Sequence, residues 1–93
     1  SDEQLREALF RNERILVVTL SGEAKTAELI GLPLSDLSFP DGTLIATILR
    51  DDETIIPKGG TVLLEGDRIT VLGRPEGISA LYERFDLIRL IRR

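Results

Sequence analysis

Residues 43–73, TLIATILRDDETIIPKGGTVLLEGDRITVLG, decide the fold of this chain. Thr43 to Leu49 is an apolar run with Leu44, Ala46 and Ile48 on one face and Ile45, Thr47 and Leu49 on the other. Both faces are apolar, so the period-2 pattern predicts an inner strand. Asp51-Asp52-Glu53 is a hairpin turn into Thr54-Ile55-Ile56. Pro57 has no N–H to give to a ladder, which places it at an edge or at the end of that strand. Gly59-Gly60 turns the chain, Thr61 to Leu64 is a short extended piece, and Glu65-Gly66-Asp67 turns it again into an apolar strand, Arg68 to Leu72.

Gly73-Arg74-Pro75 opens a helix with Pro75 at its first position and Glu76 at its positive end. Ile78, Leu81, Tyr82 and Phe85 form its apolar stripe at i, i+3, i+4, i+7. Upstream, Ile15 to Leu20 is apolar or β-branched without alternation, which predicts a strand covered on both faces. Glu23 to Ile30 predicts two helical turns, ended by Gly31 and Pro33. Leu32 to Asp41 is the one long irregular stretch. Its Leu34, Leu37 and Phe39 require that the loop lie against something.

The ends are read separately. Ser1 and Gln4 fit a capping box, with Leu5, Ala8 and Leu9 at helical spacing, which predicts a linker or capping helix within residues 1–12. Residues 13–85 then form the globular domain. Residues 86–93 form a basic amphipathic tail, whose spacing fits either a helix or a strand.

The chain has 93 residues, 42% of them apolar, with three Phe, one Tyr and no Trp. That length makes one domain with a small aliphatic core. Cysteine and histidine are both absent. Disulfides and thiolate chemistry are excluded, and so are the commonest general base and metal ligand. Lys25 and Lys58 are the only lysines. No catalytic constellation is recognisable, so the expectation is a protein that is not an enzyme. The net charge of −4 and the lack of an aromatic-basic platform lead to the expectation of no nucleic-acid partner. The longest apolar run, Ile15 to Leu20, is too short to span a bilayer.

The chemistry-bearing residues also have plain structural readings. Gly59-Gly60-Thr61 lacks the length and the Lys-Ser/Thr pair of a phosphate loop, and reads as a turn. Asp51, Asp52 and Glu53 resemble a hard-cation cluster but sit at a solvated hairpin tip without calcium-loop spacing. Asp67 reads as a turn-stabilising carboxylate. Arg50 and Arg68, at strand ends, are candidates for an anionic ligand, against a default of solvated strand ends.

From Leu29 to Phe85 the chain resembles the TrkA-C domain, the C-terminal half of RCK regulatory modules of potassium channels and transporters. The matching pieces are Glu28-Leu29, Thr43 to Arg50, Ile55 to Leu63, Gly66 to Gly73, and the final helix with Ile78 and Leu81. Ser21 and Lys25-Thr26 fit the family's entry pattern weakly, with Ala24 where Gly is usual. The resemblance implies an α/β (α+β) fold: a small, mostly antiparallel sheet with packed helices. It also implies a homodimer, and a small regulatory ligand such as a nucleotide, an anion or a divalent cation. The partner it implies is a membrane transporter or channel subunit, with this chain as the cytoplasmic soluble part. Members that read cyclic di-AMP are expected to carry Arg in the loop before the second strand, with Asn or His nearby. This chain has Ser38-Phe39-Pro40 there and looks more like the copies attached to proton-coupled cation antiporters.

The resulting expectation is a ligand-sensing regulatory domain. Its candidate ligand residues are Ser38, Phe39 and Asp41 in the long loop, together with Thr43, Arg50 and Pro57, gathered at a dimer cleft. The alternative is a structural dimerisation module of a permease that binds no small molecule.

Overall fold

A computed structural model of the chain describes residues 14–88. The expected N-terminal helix and most of the basic tail lie outside the described residues. The centre is one four-stranded sheet in the order β1-β4-β2-β3, with β1 Arg14–Thr19, β2 Thr43–Arg50, β3 Glu53–Ile55 and β4 Arg68–Gly73. Every pairing is antiparallel. Helix α1, Pro75–Arg84, packs on one face, with Pro at its start as the sequence predicts. The expected α+β architecture, a small antiparallel sheet with packed helical elements, is the one observed.

The inner face is read directly from the register. Leu16, Val71 and Ile45 align across it, as do Val18, Ile69, Ile48 and Ile55. Against them pack Ile78, Leu81 and Phe85 of the helix stripe, and Leu20, Leu29 and Leu63 from the loops. Burying a Leu or Ile side chain contributes about 1.5–3 kcal/mol, so this single aliphatic cluster carries the stability of the domain.

Two expectations about strand faces are corrected. Ile15 to Leu20 is not covered on both faces: β1 is an edge strand, Ile15 is 61% exposed and Val17 50% exposed. In β2, a bulge between Ile45 and Thr47 breaks the alternation. An extra residue in one strand shifts every later side chain to the other face. Ile45 and Ile48 therefore both face the core, while Leu44, Thr47 and Leu49 join Ile15, Val17, Thr70 and Leu72 on the outer face. That outer face is apolar and open: Leu44 is 58% exposed and Leu49 37%.

The remaining segments are short. Residues expected to form two helical turns make a 3-10 turn, Lys25–Leu29, and a second lies at Leu34–Asp36. The extended piece after Gly60 pairs with the long loop: Gly31 donates to the Leu63 carbonyl, Leu34 to Thr61 and Ser35 to Gly59. The helix ends at Asp86 in a left-handed conformation (φ 55°). There Leu87 N–H bonds the Tyr82 carbonyl and Asp86 N–H the Glu83 carbonyl, the Schellman pattern.

The hairpin loop is only Asp51-Asp52, with φ of 49° and 66°, and Glu53 already pairs with Arg50. Left-handed backbone at both central residues is the geometry of a type I′ turn, which favours Gly at the second. Asp52→Gly should therefore raise stability by about 0.5 kcal/mol, read as a small rightward shift in a urea titration. A loss of stability would show that the Asp52 side chain contributes contacts of its own.

Candidate functional site

A groove of about 300 Å³ opens beside the inner sheet face. Its walls come from three places: Leu34, Ser35 and Phe39 of the long loop, Ile45 of β2, and Pro57, Lys58 and Gly59 after β3. The hydrogen bond from Ser35 N–H to the Gly59 carbonyl (2.9 Å) ties the two loop walls together. Lys58 N–H donates to Thr61 Oγ1, and Thr61 N–H to the Lys58 carbonyl (both 3.0 Å), closing the Gly59-Gly60 turn. The lining is mostly apolar with one ammonium and one hydroxyl, the composition of a small-molecule site at the lower end of the usual size range.

Of the six residues predicted for a ligand, Phe39 and Pro57 line this groove. Ser38 is exposed, and its carbonyl accepts a hydrogen bond from Arg84 Nη1 at 2.5 Å. Asp41 is exposed at the end of the loop. Thr43 is wedged into the structure: its hydroxyl donates to the Pro40 carbonyl at 2.6 Å, and its methyl lies against the bare Cα atoms of Gly73 and Gly77. The groove also uses Leu34, Ser35, Ile45, Lys58 and Gly59, none of which is among the six residues predicted for a ligand.

Arg50 is engaged inside the protein. Its Nε donates to Asp67 Oδ1 at 2.9 Å, and its Nη2 donates to Asp67 Oδ2 at 2.7 Å and to the Val62 carbonyl at 3.0 Å. Asp67 Oδ2 also accepts from Leu64 N–H at 2.9 Å, the turn-bracing contact expected of it. The Asp67 side chain is 1% exposed and that of Arg50 28%. A two-point guanidinium–carboxylate pair of this kind is both strong and geometrically specific. The hydrogen bonds from Arg50 hold the Asp67 carboxyl below its ordinary range against the opposing effect of burial. The same pairing raises the Arg50 guanidinium above its ordinary value.

Arg68 is exposed at the start of β4. Among the described residues, no group of three acidic side chains is gathered to hold a metal ion. At the entry to the fold, buried Thr26 accepts a hydrogen bond from Ser21 N–H at 3.1 Å, so this pair braces the turn after β1. Among the described residues no helix is long and apolar enough to cross a membrane.

Comparison with known proteins places this geometry. The family model described as the TrkA-C domain matches residues 23–86. The Trk system potassium uptake protein TrkA homolog 2 of Methanosarcina mazei is 32% identical over 71 residues, covering 76% of this chain and 15% of that protein. The K(+)/H(+) antiporter NhaP2 of Shewanella baltica is 45% identical over 56 residues, covering 60% of this chain and 10% of the antiporter. The chain thus spans less than a fifth of these relatives. The RCK C domain of the potassium transport protein KtrA, solved in complex with cyclic di-AMP, superposes with a TM-score of 0.65 at 19% identity, over 89% of this chain and 98% of that one.

One further match corrects an expectation. BusR of S. agalactiae, solved with its busA promoter DNA, superposes with a TM-score of 0.62 at 17% identity, over 91% of this chain and 47% of BusR. The same fold therefore occurs in a protein bound to DNA, and the exclusion of nucleic acid does not stand. The physical reason is that the charge of one domain does not report on surfaces carried by the other half of a longer chain.

Proposed function

The chain belongs to the TrkA-C domain family, whose model matches residues 23–86, and on that premise we propose that it is the cytoplasmic ligand-sensing domain of a prokaryotic potassium or cation transport system, acting as a homodimer. The observation that carries the reading is the groove between Phe39 and Pro57, with Lys58 at its rim. An aromatic ring and a proline ring offer apolar surface to a planar ligand, and the ammonium offers a partner to an anion. Among nucleotides, simple anions and divalent cations, a nucleotide matches both features of that lining. The KtrA neighbour, which carries cyclic di-AMP, supports this class of ligand without specifying the compound.

The dimer is supported by the open outer face, where Ile15, Val17, Leu44 and Leu49 present apolar surface to solvent. Contiguous exposed apolar surface of this kind marks interaction sites. Ligand and dimer are linked if the ligand favours one arrangement of two copies over another. Light scattering at high protein concentration should give a dimer, and a strict monomer would contradict this part of the proposal.

That same outer face also favours a second reading, a structural module that joins transporter subunits and binds no small molecule. A thermal-shift panel of nucleotides, cyclic dinucleotides and divalent cations separates the two. A ligand at a hundred times its Kd adds about 2.7 kcal/mol, which in a domain of this size raises Tm by roughly 10–20 °C. Phe39→Ala should remove the shift while leaving the fold intact, because Phe39 is only half-buried. No shift with any compound would favour the structural reading.

A further inference from the structure

We infer that Arg84 is the positioning residue that holds Phe39 in place over the groove, an assignment that rests on the groove being the ligand site. The two residues lie on different elements: Arg84 on the last turn of α1, Phe39 in the long loop. Arg84 meets that loop and its surroundings at four points. Its Nη1 donates to the Ser38 carbonyl, one residue before Phe39, at 2.5 Å. Its Nε donates to Glu28 Oε1 at 2.8 Å, in the 3-10 turn that precedes the loop. Its guanidinium carbon lies 5.9 Å from the centroid of Phe39 and 4.9 Å from that of Phe85.

These contacts divide the work. Phe85 is 4% exposed and belongs to the core, so it is a fixed surface beneath the guanidinium. Glu28 sets the orientation of the planar group. The remaining donor is then aimed at the backbone of the loop, and a face of the guanidinium is left for the Phe39 ring, at a distance where cation–π attraction acts. Only a planar, multi-donor cation reaches all of these at once, and a lysine ammonium does not. Without Arg84, the loop from Leu37 to Asp41 keeps the Leu37 N–H to Leu34 carbonyl bond and the Thr43 contacts to the Pro40 carbonyl at its two ends. Between those two ends, Arg84 Nη1 holds the Ser38 carbonyl.

The test is fluorine NMR on protein made with 4-fluorophenylalanine, in which the Phe39 signal is assigned by its loss in Phe39→Leu. In the parent protein, Phe39 should give one dispersed signal. Arg84→Ala should move it toward the position of free fluorophenylalanine, and Arg84→Lys should fail to restore it. Glu28→Gln, which keeps the bond to Ser38, should move it less than Arg84→Ala. If Arg84→Ala does not fold, Arg84→Gln provides the same readout with most of the stem retained. An Arg84 that only stabilises the domain would lower Tm and leave the Phe39 signal of the folded protein dispersed, away from the position of free fluorophenylalanine, and that result overturns the inference. The measurement needs no ligand. A moved Phe39 signal together with a groove that binds nothing would therefore refute the ligand reading alone.

Discussion

Asp67→Ala is expected to cost about 3 kcal/mol of folding stability, a fall in Tm of roughly 15 °C for a domain of this size. The substitution strands the Arg50 guanidinium, which loses both of its bonds to the carboxylate, and it leaves the Leu64 N–H without its acceptor. The estimate sits at the low end for a buried pair because the Arg50 side chain keeps 28% of its exposure and finds water. Arg50→Ala should cost at least as much, since it leaves a carboxylate that is 1% exposed without its cation. Arg50→Lys should recover only part of that loss, because an ammonium makes one contact where the guanidinium makes two to Asp67 and one to Val62. The pH dependence identifies the source. A carboxyl held below its unfolded value contributes stability above that unfolded value, near pH 4, and loses it as the pH falls through the folded value. The gap between the parent and Asp67→Asn should therefore be widest at neutral pH and close below about pH 4. Denaturant titrations from neutral to strongly acidic pH check this. A constant gap would mean that the Asp67 charge is not what the pair depends on.

Gly73→Ala is expected to cost about 2–3 kcal/mol. A Cβ at Gly73 would stand 2.6 Å from the Thr43 methyl, 3.2 Å from the Gly42 carbonyl oxygen and 3.2 Å from Ile78 Cδ1. The first contact is far inside van der Waals range, and the backbone oxygen has little freedom to yield. The same methyl is 2.6 Å from a Cβ built at Gly77, so Thr43 fills the space that two glycines leave between β2, β4 and the start of α1. Thr43→Ser removes that methyl and keeps the hydroxyl bond to Pro40. Combined with Gly73→Ala, it should give a double variant at least 1 kcal/mol more stable than the sum of the single effects, a coupling expected only of residues in contact. Additive effects would show that the Thr43 methyl is not the obstacle.

These two sites show why parts of the structure are legible in the sequence and others are not. The stripe Ile78, Leu81, Tyr82 and Phe85 announces a helix because its spacing is local, and the helix is there. The turns at Asp51-Asp52 and Glu65-Gly66-Asp67 announce themselves by residue type, and strands follow them as expected. The bulge in β2 is different. Nothing in Thr43–Arg50 signals an extra residue, and the shift at Ala46 exchanges the faces assigned to the residues around it. The apolar run of β1 reads as doubly covered because hydrophobicity alone does not distinguish a surface covered within the chain from one open to solvent. Asp67 explains itself locally as a turn residue, which conceals its bond to an arginine seventeen positions away. The groove depends on pairing between residues 31–35 and 59–63, a contact between two loops that no periodicity encodes.

The groove between the long loop and the segment after β3 is the site we propose for a small regulatory ligand. Backbone amide chemical-shift mapping of the protein titrated with nucleotides and cyclic dinucleotides tests it most directly. Saturable shifts are expected at Leu34, Ser35, Phe39, Ile45, Lys58 and Gly59, with the Arg50–Asp67 turn unmoved. Shifts confined to that turn or to the outer sheet face, or no saturable shift with any of these compounds, would contradict it.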